Sequence, residues 1–345
     1  MKTDARIKKR ENETLYILKV WATFSVIAIH FGFLGQIGVF YKVLARFAVP
    51  LFFMISGYLL INDQYSDNIH KLIYKKIPRL LVPLATWSFI AVVLYSFFDN
   101  TISARTIGIG ILKAFHAPVA IHFWYLYTLI AIYIISPVLC NGIKMLNRQG
   151  KIFVLGIIIV VNIRAMIAAL LPEHLKVYTE LDIITKMEFF GAHLGTLILG
   201  YLIGNYNKKI NNTLLVCVSI VLYIIICIGT YLSSIKSGSY NQMFQNQSAG
   251  FEVFLASTIF IIFKQNFNIP HSSKVIKCMI KLSLSVYLVH NLVISTFYHY
   301  GYTFNSMTQA ILGTAAVSVI SVIIMWATTK IKPICFILTG ERYHH

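Results

Sequence analysis

The sequence has 345 residues, of which 57% are hydrophobic and only 12% are charged, and its mean hydropathy is +0.72. A soluble domain carries about a quarter charged residues, so this composition excludes an ordinary soluble enzyme or binding module. The net charge of +18 is not a sign of nucleic-acid binding, because most basic residues lie between apolar runs. Five cysteines without a CxxC pair predict neither a disulfide nor a metal site.

Apolar runs recur along the chain, each long enough for the roughly 20 helical residues that cross a bilayer. They predict an all-α polytopic membrane protein with about ten transmembrane helices. The eighth of these spans is the weakest, because Glu252 lies near its start. The charge-free run from Leu282 to Thr329 is divided at YHYGYTFNSMTQ, where Gly301 and Asn305 favour a turn. The spans are placed near 15–35, 43–62, 80–98, 120–141, 152–172, 188–206, 211–232, 248–264, 281–299 and 308–329.

The distribution of lysine and arginine predicts the orientation of these spans. With the N-terminus inside, 21 of the 30 basic residues fall in inner segments. We therefore expect both termini in the cytoplasm, with a tail at 1–14, a membrane domain at 15–330 and a second tail at 331–345. The inner basic segments are also suited to attracting anionic lipid headgroups.

An ionisable side chain within an apolar span is a candidate functional group. None of the twelve acidic residues lies at the centre of a span, so histidine is the group available for proton transfer within the membrane. His30 lies in ATFSVIAIHFGF, eleven residues after Lys19. This spacing puts both on one face of a helix, about 16 Å apart along its axis. Lys19 alone is typical of a snorkelling anchor, and His30 either hydrogen-bonds between helices or performs chemistry.

The second span carries polar and helix-bending residues in ARFAVPLFFMISGYLL. Arg46 begins the span on its outer side, Pro50 can bend the helix one turn later, and Ser56 precedes a glycine. An interfacial anchor accounts for the arginine without a site, and close helix packing accounts for the small residues.

Two aromatic stretches lie in later spans. HFWYLYTLIAIYIISP, which runs from His122 to Pro137, is mostly explained by an aromatic belt at the membrane surface. SLSVYLVHN places Tyr287 and His290 three residues apart, on one face of the ninth span and near mid-membrane.

Two further polar residues lie in the fifth and sixth spans. His193 lies within a GxxxG pair, a pattern typical of helix packing. Arg164 has no acidic partner inside the membrane and faces either an anionic group or one of the acids at the outer ends. Those acids are Asp182, Glu188 and Glu252.

In their order along the chain, these stretches resemble the acyltransferase family 3 membrane enzymes, especially the branch that O-acylates cell-surface polysaccharides. The resemblance rests on Lys19 eleven residues before His30, on RFAVPLFFMISGYLL, on KKIPRLLVPLATW, on the WYL and tyrosine–proline pattern of the fourth span, on GYLIG and on S-x-x-Y-L-x-H. One departure is Tyr16, because the family usually has an acidic residue three positions before the cation. Glu13, one turn earlier, is the candidate substitute for that acid.

The resemblance implies transfer of an acyl group, with acetyl the expected one, from a cytoplasmic acyl-coenzyme A (acetyl-CoA) to a hydroxyl of a cell-surface or lipid-linked polysaccharide. His30 is expected to act as general base or as transient acyl carrier. Arg46 is expected to stabilise the oxyanion, and Tyr287 and His290 to orient the reacting groups. The composition, rich in Ile, Lys and Asn, suggests a bacterium with an AT-rich genome and therefore the bacterial plasma membrane.

The remaining site residues are assigned by charge and position. The donor phosphates are expected to contact four inner cations, which are Lys19, Lys75, Lys76 and Arg79. Other polar groups of the cavity are expected to be Arg164, His193 and Ser56. No metal is expected.

Two other classes of function fit the same sequence. A transporter or flippase of a lipid-linked sugar would use a polar cavity and an aromatic rim without chemistry. An envelope-assembly protein without catalysis would tolerate loss of His30 and His290. Binding of coenzyme A separates the enzyme from the transporter, since a flippase has no need of it.

Overall fold

A computed structural model describes residues 2–31, 36–63, 68–172, 175, 193–248, 250–267 and 273–341, with the backbone alone for 2–12, 36 and 37. All regular secondary structure in these ranges is helical. The main helices are α1 (Lys2–Ile29), α2 (Gln36–Arg46), α3 (Ala48–Asn62), α4 (Ile69–Phe98), α5 (Ala104–Ala114), α6 (Trp124–Met145), α7 (Arg148–Leu170), α8 (His193–Gly204), α9 (Asn212–Ser237), α10 (Phe251–Asn266), α11 (Lys274–His299), α12 (Met307–Thr328) and α13 (Lys332–Thr339).

Seven helical segments in the described ranges are long and apolar enough to cross a membrane. They are Gly38–Asn62, α4, Ile121–Met145, α7, α9, α11 and α12. The other three predicted spans fall on α1, α8 and α10. Helix α8 has 12 described residues and is about 18 Å long, too short to cross alone, and residues 188–192 of the predicted sixth span lie outside the described part.

The outward surface of the bundle is apolar. Only 22% of the apolar stretch of α7 and 28% of that of α9 is buried inside the bundle. The remaining surface exposes large side chains such as Val160, Ile163, Val221 and Ile224. Exposure of such continuous apolar faces to water would be unfavourable, whereas lipid chains would cover them. The chain is therefore built as a multi-pass membrane protein.

The predicted second span is divided into two helices. Helix α2 ends at Arg46 and α3 begins at Ala48, with Phe47 between them. Pro50 has no N–H to donate to the carbonyl of Arg46, so the helical hydrogen-bond series is interrupted there. It resumes when Leu51 N donates to Phe47 O at 3.1 Å. Phe47 keeps helical dihedral angles, with φ −55° and ψ −18°, so Pro50 removes one hydrogen bond without ending the helical course of Gly38–Asn62.

The turn between the last two predicted spans lies where the sequence places it. Helix α11 ends at His299, and Gly301 has a φ of +81°, a value that favours glycine. Ser306 then caps α12 by accepting a hydrogen bond from Gln309 N.

The C-terminal segment packs against the membrane helices. Helix α13 contacts α4, and Trp87 Nε1 donates to Leu338 O at 2.9 Å. Gly340, with a φ of +69°, allows the chain to turn against the backbone of Arg79. Arg79 then forms an ion pair with Glu341. The region predicted as a tail therefore brings a carboxylate to the site described below.

Helices α3 and α8 make the most extensive helix–helix contact in the described part of the chain. Glycines allow this contact: a Cβ at Gly57 would overlap the backbone of Leu197, and a Cβ at Gly200 would overlap the backbone of Met54. Small residues let membrane helices approach closely and gain van der Waals contact. Gly200 and Gly204 of the GYLIG segment both lie at this close contact, against Met54 and Tyr58.

We predict that Gly200→Ala lowers the stability of the protein by about 1–3 kcal/mol, because the added methyl group forces the two helices apart. The measurement is the apparent Tm of the purified protein in detergent. Gly142→Ala is the matched control, since a Cβ at this helical position meets no described atom within 4 Å. Equal Tm values for the two variants would contradict the account of the α3–α8 contact.

Candidate functional site

Three imidazoles lie together in the interior of the bundle. His30 follows the end of α1, His122 precedes α6, and His290 lies in the middle of α11. The ring centroids of His30 and His290 are 5.2 Å apart, and those of His122 and His290 are 4.8 Å apart. His290 is fully buried and His122 is 3% exposed. We call these three residues the histidine cluster.

Backbone carbonyls fix the orientation of two rings of the cluster. His122 Nε2 lies 3.0 Å from Leu288 O, and His290 Nδ1 lies 2.6 Å from Tyr287 O. A carbonyl oxygen only accepts, so each of these nitrogens carries the hydrogen in the assigned tautomer. His122 Nδ1 and His290 Nε2 are then lone-pair acceptors, and neither has a hydrogen-bond partner in the described structure. Buried acceptors of this kind are suited to receiving a hydrogen bond from a hydroxyl group.

Tyr287 connects the cluster to a cavity of about 760 Å³. Its hydroxyl donates to the backbone carbonyl of His122, and its side chain lines the cavity wall. We call this space the basic cavity, after four cations in its lining: Lys19, Lys76, Arg79 and Lys281. Tyr16 and Ser56 line it as well.

Two carboxylates partly compensate the charge of the basic cavity. Lys76 Nζ lies 2.8 Å from Asp63 Oδ2, and Arg79 pairs with Glu341. Both acids line the cavity, which leaves four cations against two acids in its described lining. A volume of several hundred Å³ with excess positive charge is suited to an anionic small molecule.

Lys75 does not line the basic cavity. It lies in a π-helical turn, Leu72–Lys76, and borders a neighbouring cavity of about 550 Å³ together with Arg79 and Glu341. Consecutive side chains of a helix point in different directions, so Lys75 and Lys76 face different spaces.

A second cavity, of about 570 Å³, lies near the other end of α3. We call it the amide cavity, because carboxamides from the segment between α9 and α10 line it. Arg46, Trp124, Arg164 and His193 also line it. The carboxamide residues are Gln242, Gln245, Asn246 and Gln247. Helix α3 has 15 residues and spans about 22 Å, which sets the separation of the two cavities.

A group of packed aromatic side chains lies between the two cavities. Tyr125 and Phe52 line the basic cavity, whereas Trp124 and His193 line the amide cavity. Phe53 lies between them, with its ring 4.9 Å from that of Tyr125 and stacked 4.3 Å from that of His193. We call these five residues the aromatic partition.

The structure divides the predicted site residues into three groups. Lys19, Lys76, Arg79, Ser56 and Tyr287 line the basic cavity. Arg46, Arg164 and His193 line the amide cavity. His30 and His290 lie in the histidine cluster and line neither of the two cavities. Of the acids considered as partners of Arg164, Asp182 and Glu188 lie outside the described residues.

Sequence reasoning missed three residues of this arrangement. His122 is an ionisable residue beside the tryptophan and tyrosines of the predicted aromatic belt, but it is not among the predicted site residues. Asp63 and Glu341 lie in segments that the sequence assigns to loops and a tail, and their ion pairs depend on tertiary packing. Glu13, considered as a substitute for the missing acid at Tyr16, does not line the basic cavity, and its Oε2 has no hydrogen-bond partner in the described structure.

The chain matches the model of a known protein family. A family model described as an acyltransferase domain, the acyltransferase 3 model, matches residues 12–330. This match covers more than nine tenths of the chain and includes all three groups of site residues. No curated protein and no solved structure gives a match.

We predict that His122→Gln retains more stability than His122→Leu. Glutamine can place an N–H near the position of Nε2 and keep the bond to Leu288 O, whereas leucine removes a hydrogen bond that contributes about 1 kcal/mol. The measurement is again the apparent Tm in detergent. His116→Leu, at an exposed position, serves as the control and should leave Tm unchanged. A Tm for His122→Leu equal to that of wild type would contradict the assigned role of the Nε2–H group.

Proposed function

The chain belongs to the acyltransferase 3 family, and from this premise we propose that it transfers an acyl group, acetyl first among candidates, from cytoplasmic acyl-CoA to a hydroxyl of a cell-surface or lipid-linked polysaccharide. Acyltransferase activity follows from the family. The donor, the acceptor and the O-acetyl specificity are our proposal. What supports them is the arrangement of two unlike cavities around one histidine cluster.

We place the protein in a bacterial plasma membrane with ten spans and both termini in the cytoplasm. In this orientation the membrane domain is 15–330, and the basic cavity opens to the cytoplasm. The amide cavity then faces outward. The excess of lysine and arginine in the inner segments supports this orientation, since such residues accumulate on the cytoplasmic side.

The proposed donor site is the basic cavity. Lys19, Lys76 and Arg79 would bind the phosphates of coenzyme A, and the phosphates would replace Asp63 and Glu341 as their partners. The pantetheine arm would extend past Ser56 and Tyr125 toward Tyr287. This path leads the thioester to the histidine cluster, because Tyr287 contacts both His122 and His290.

The proposed chemistry takes place at the histidine cluster. His30 removes the proton from the acceptor hydroxyl, the oxygen attacks the thioester carbon, the C–S bond breaks, and the proton passes to the coenzyme A thiolate. Alternatively His30 attacks the thioester carbon first, the C–S bond breaks and coenzyme A leaves, and the acceptor hydroxyl then displaces the imidazole, its proton passing to the coenzyme A thiolate. Arg46 contributes positive charge from the outer side, and His290 presents an unbonded Nε2 to the reacting groups.

Transfer requires movement of side chains. The aromatic partition separates the cavities, and the histidine cluster lines neither of them. Rotation of Phe53 would let an outward-facing hydroxyl approach a thioester in the basic cavity. When the aromatic partition is closed, it also limits the access of water to a thioester in the basic cavity.

One observation carries this proposal: the cation-lined cavity leads through Tyr287 to three adjacent imidazoles. A flippase would need a polar path for its sugar, but it has no need of coenzyme A or of histidines placed to move a proton. Coenzyme A binding therefore distinguishes these functions.

We predict that Arg79→Gln weakens coenzyme A binding by about tenfold or more, since a hydrogen bond to a charged group contributes about 1.5–3 kcal/mol. The measurement is calorimetric titration of the purified protein with coenzyme A. The control is Arg148→Gln, which removes the same charge from an exposed position at the start of α7, outside the cavity lining. Wild-type protein that does not bind coenzyme A would refute the proposed donor.

We predict that His30→Ala reduces acyl transfer by about 10²–10⁴-fold, the usual contribution of a general base. Mass spectrometry of the extracted surface polysaccharide is compared in strains with the intact gene, without it, and with His30→Ala. The loss of an acyl-sized mass without the gene, not restored by His30→Ala, is the expected result.

Two controls make this comparison decisive. Membrane abundance of the His30→Ala protein is measured, because a histidine with a purely structural role would lower abundance instead of turnover. His116→Ala should restore acylation fully, since His116 is exposed. Normal acylation by abundant His30→Ala would refute the assigned role, and a change in the amount of polymer without a change in its acylation would favour the transporter.

A further inference from the structure

Arg46 presents part of its guanidinium group to the amide cavity. Nη2 donates to Gln242 Oε1 at 2.6 Å. With the Gln247 carboxamide oriented to accept, its oxygen receives bonds from Nη2 at 2.8 Å and from Nε at 3.0 Å. These bonds leave Nη1 without an acceptor in the described structure. A guanidinium held only by neutral amides keeps its charge available for an anion.

Glu252, the acidic residue of the described structure that interacts with Arg46, does not line the amide cavity. Glu252 interacts electrostatically with Arg46. It is fully buried at the start of α10, and its two carboxylate oxygens have no hydrogen-bond partner in the described structure. It makes no ion pair with Arg46, and the described lining of the amide cavity contains no acidic residue. Glu252 therefore does not compete with a ligand for Nη1.

The remaining lining suits a sugar ring. Trp124 and His193 lie side by side with ring centroids 4.8 Å apart, and aromatic faces can pack against the apolar face of a pyranose. Carboxamides both donate and accept hydrogen bonds, as vicinal hydroxyls require. His193 Nδ1 has no partner in the described structure and supplies a further polar atom at the wall.

The carboxamide segment is held in shape before any ligand binds. Gln245 is fully buried, accepts from Tyr240 Oη at 2.8 Å and donates to Thr230 Oγ1 at 3.3 Å. Asn241 accepts from Met243 N at 2.9 Å, and Asn246 accepts from Ser248 N at 2.9 Å. Preorganised polar groups lose little entropy on binding, which favours recognition of a small polar ligand.

We propose that the amide cavity is the acceptor subsite and that it selects an anionic sugar residue. Its negative group, a uronate carboxylate or a sugar phosphate, contacts Arg46 Nη1, while its ring packs on Trp124 and His193. This inference rests on the proposed function for the identity of the cavity as an acceptor site. It goes further by naming the substrate class, because a neutral sugar would leave the charge of Arg46 without a partner.

The test is saturation-transfer NMR on the full chain with three probes: methyl β-glucuronoside, α-glucose 1-phosphate and neutral methyl β-glucoside. The protein is reconstituted in phosphatidylcholine nanodiscs, because maltoside detergents present sugar headgroups of their own. We expect one or both anionic probes to bind at least about tenfold more tightly than the glucoside. The probe that binds identifies the negative group as carboxylate or phosphate.

Two variants assign the preference to Arg46. Arg46→Gln removes the charge, and Gln242→Glu places a carboxylate of nearly the same shape beside Nη2 while keeping its hydrogen bond. Both should abolish the preference for anionic probes, and the second does not disturb the attachment of the segment. Lys42→Gln is the control: Lys42 lies one turn earlier on α2, packs over Tyr240 and does not line the cavity.

Equal binding of the glucoside and both anionic probes, or no binding of any, overturns the inference. So does an anion preference that survives in Gln242→Glu. Coenzyme A binding to the same nanodiscs is measured in parallel. Its loss with a retained Arg46-dependent sugar preference contradicts the proposed donor alone, whereas its retention without that preference contradicts the subsite alone.

Discussion

The histidine cluster is held in place by hydrogen bonds, because a buried N–H or O–H group needs a protein acceptor where water cannot supply one. The ring N–H groups of His122 and His290 are bound by carbonyls of α11, and the Tyr287 hydroxyl is bound by the carbonyl of His122. An unpaired polar group in hydrocarbon costs several kcal/mol. These bonds hold the start of α6 and the middle of α11 in a fixed relation, and they direct the remaining ring nitrogens inward.

The division of the interior into two cavities follows from the packing of α3 on α8. The contact of Gly200 with the backbone of Met54 brings the helices close enough for Phe53 to stack on His193. The aromatic partition exists because of that stack. On one side lie cations suited to phosphates, and on the other lie carboxamides suited to hydroxyls. Under the proposed function, this separation would hold the donor and the acceptor on opposite sides of the aromatic partition.

Hydropathy and spacing predicted the membrane class, the turn at Gly301 and the interior placement of His30 and His290, because those features depend on local sequence. Pro50 removes one hydrogen bond at the junction of α2 and α3, as the missing N–H of proline predicts, and the backbone stays helical at Phe47. The basic cavity unites Lys19 with Arg79, as their charges suggested, but Lys75 borders a neighbouring cavity because consecutive residues of a helix point in different directions. The ion pair of Glu341 with Arg79 and the bond of His122 to Leu288 O could not be predicted, because both join segments distant in sequence.

The most direct measurement uses sealed membrane vesicles of defined orientation that contain the protein and the polysaccharide of the host membrane. Isotope-labelled acetyl-CoA is supplied at the cytoplasmic face only, and label is measured on polymer enclosed at the opposite face. The account predicts label on the enclosed polymer, and none when His30→Ala is present at equal abundance. Label that appears only when donor and polymer share one face would contradict transfer between two cavities on opposite sides of the aromatic partition.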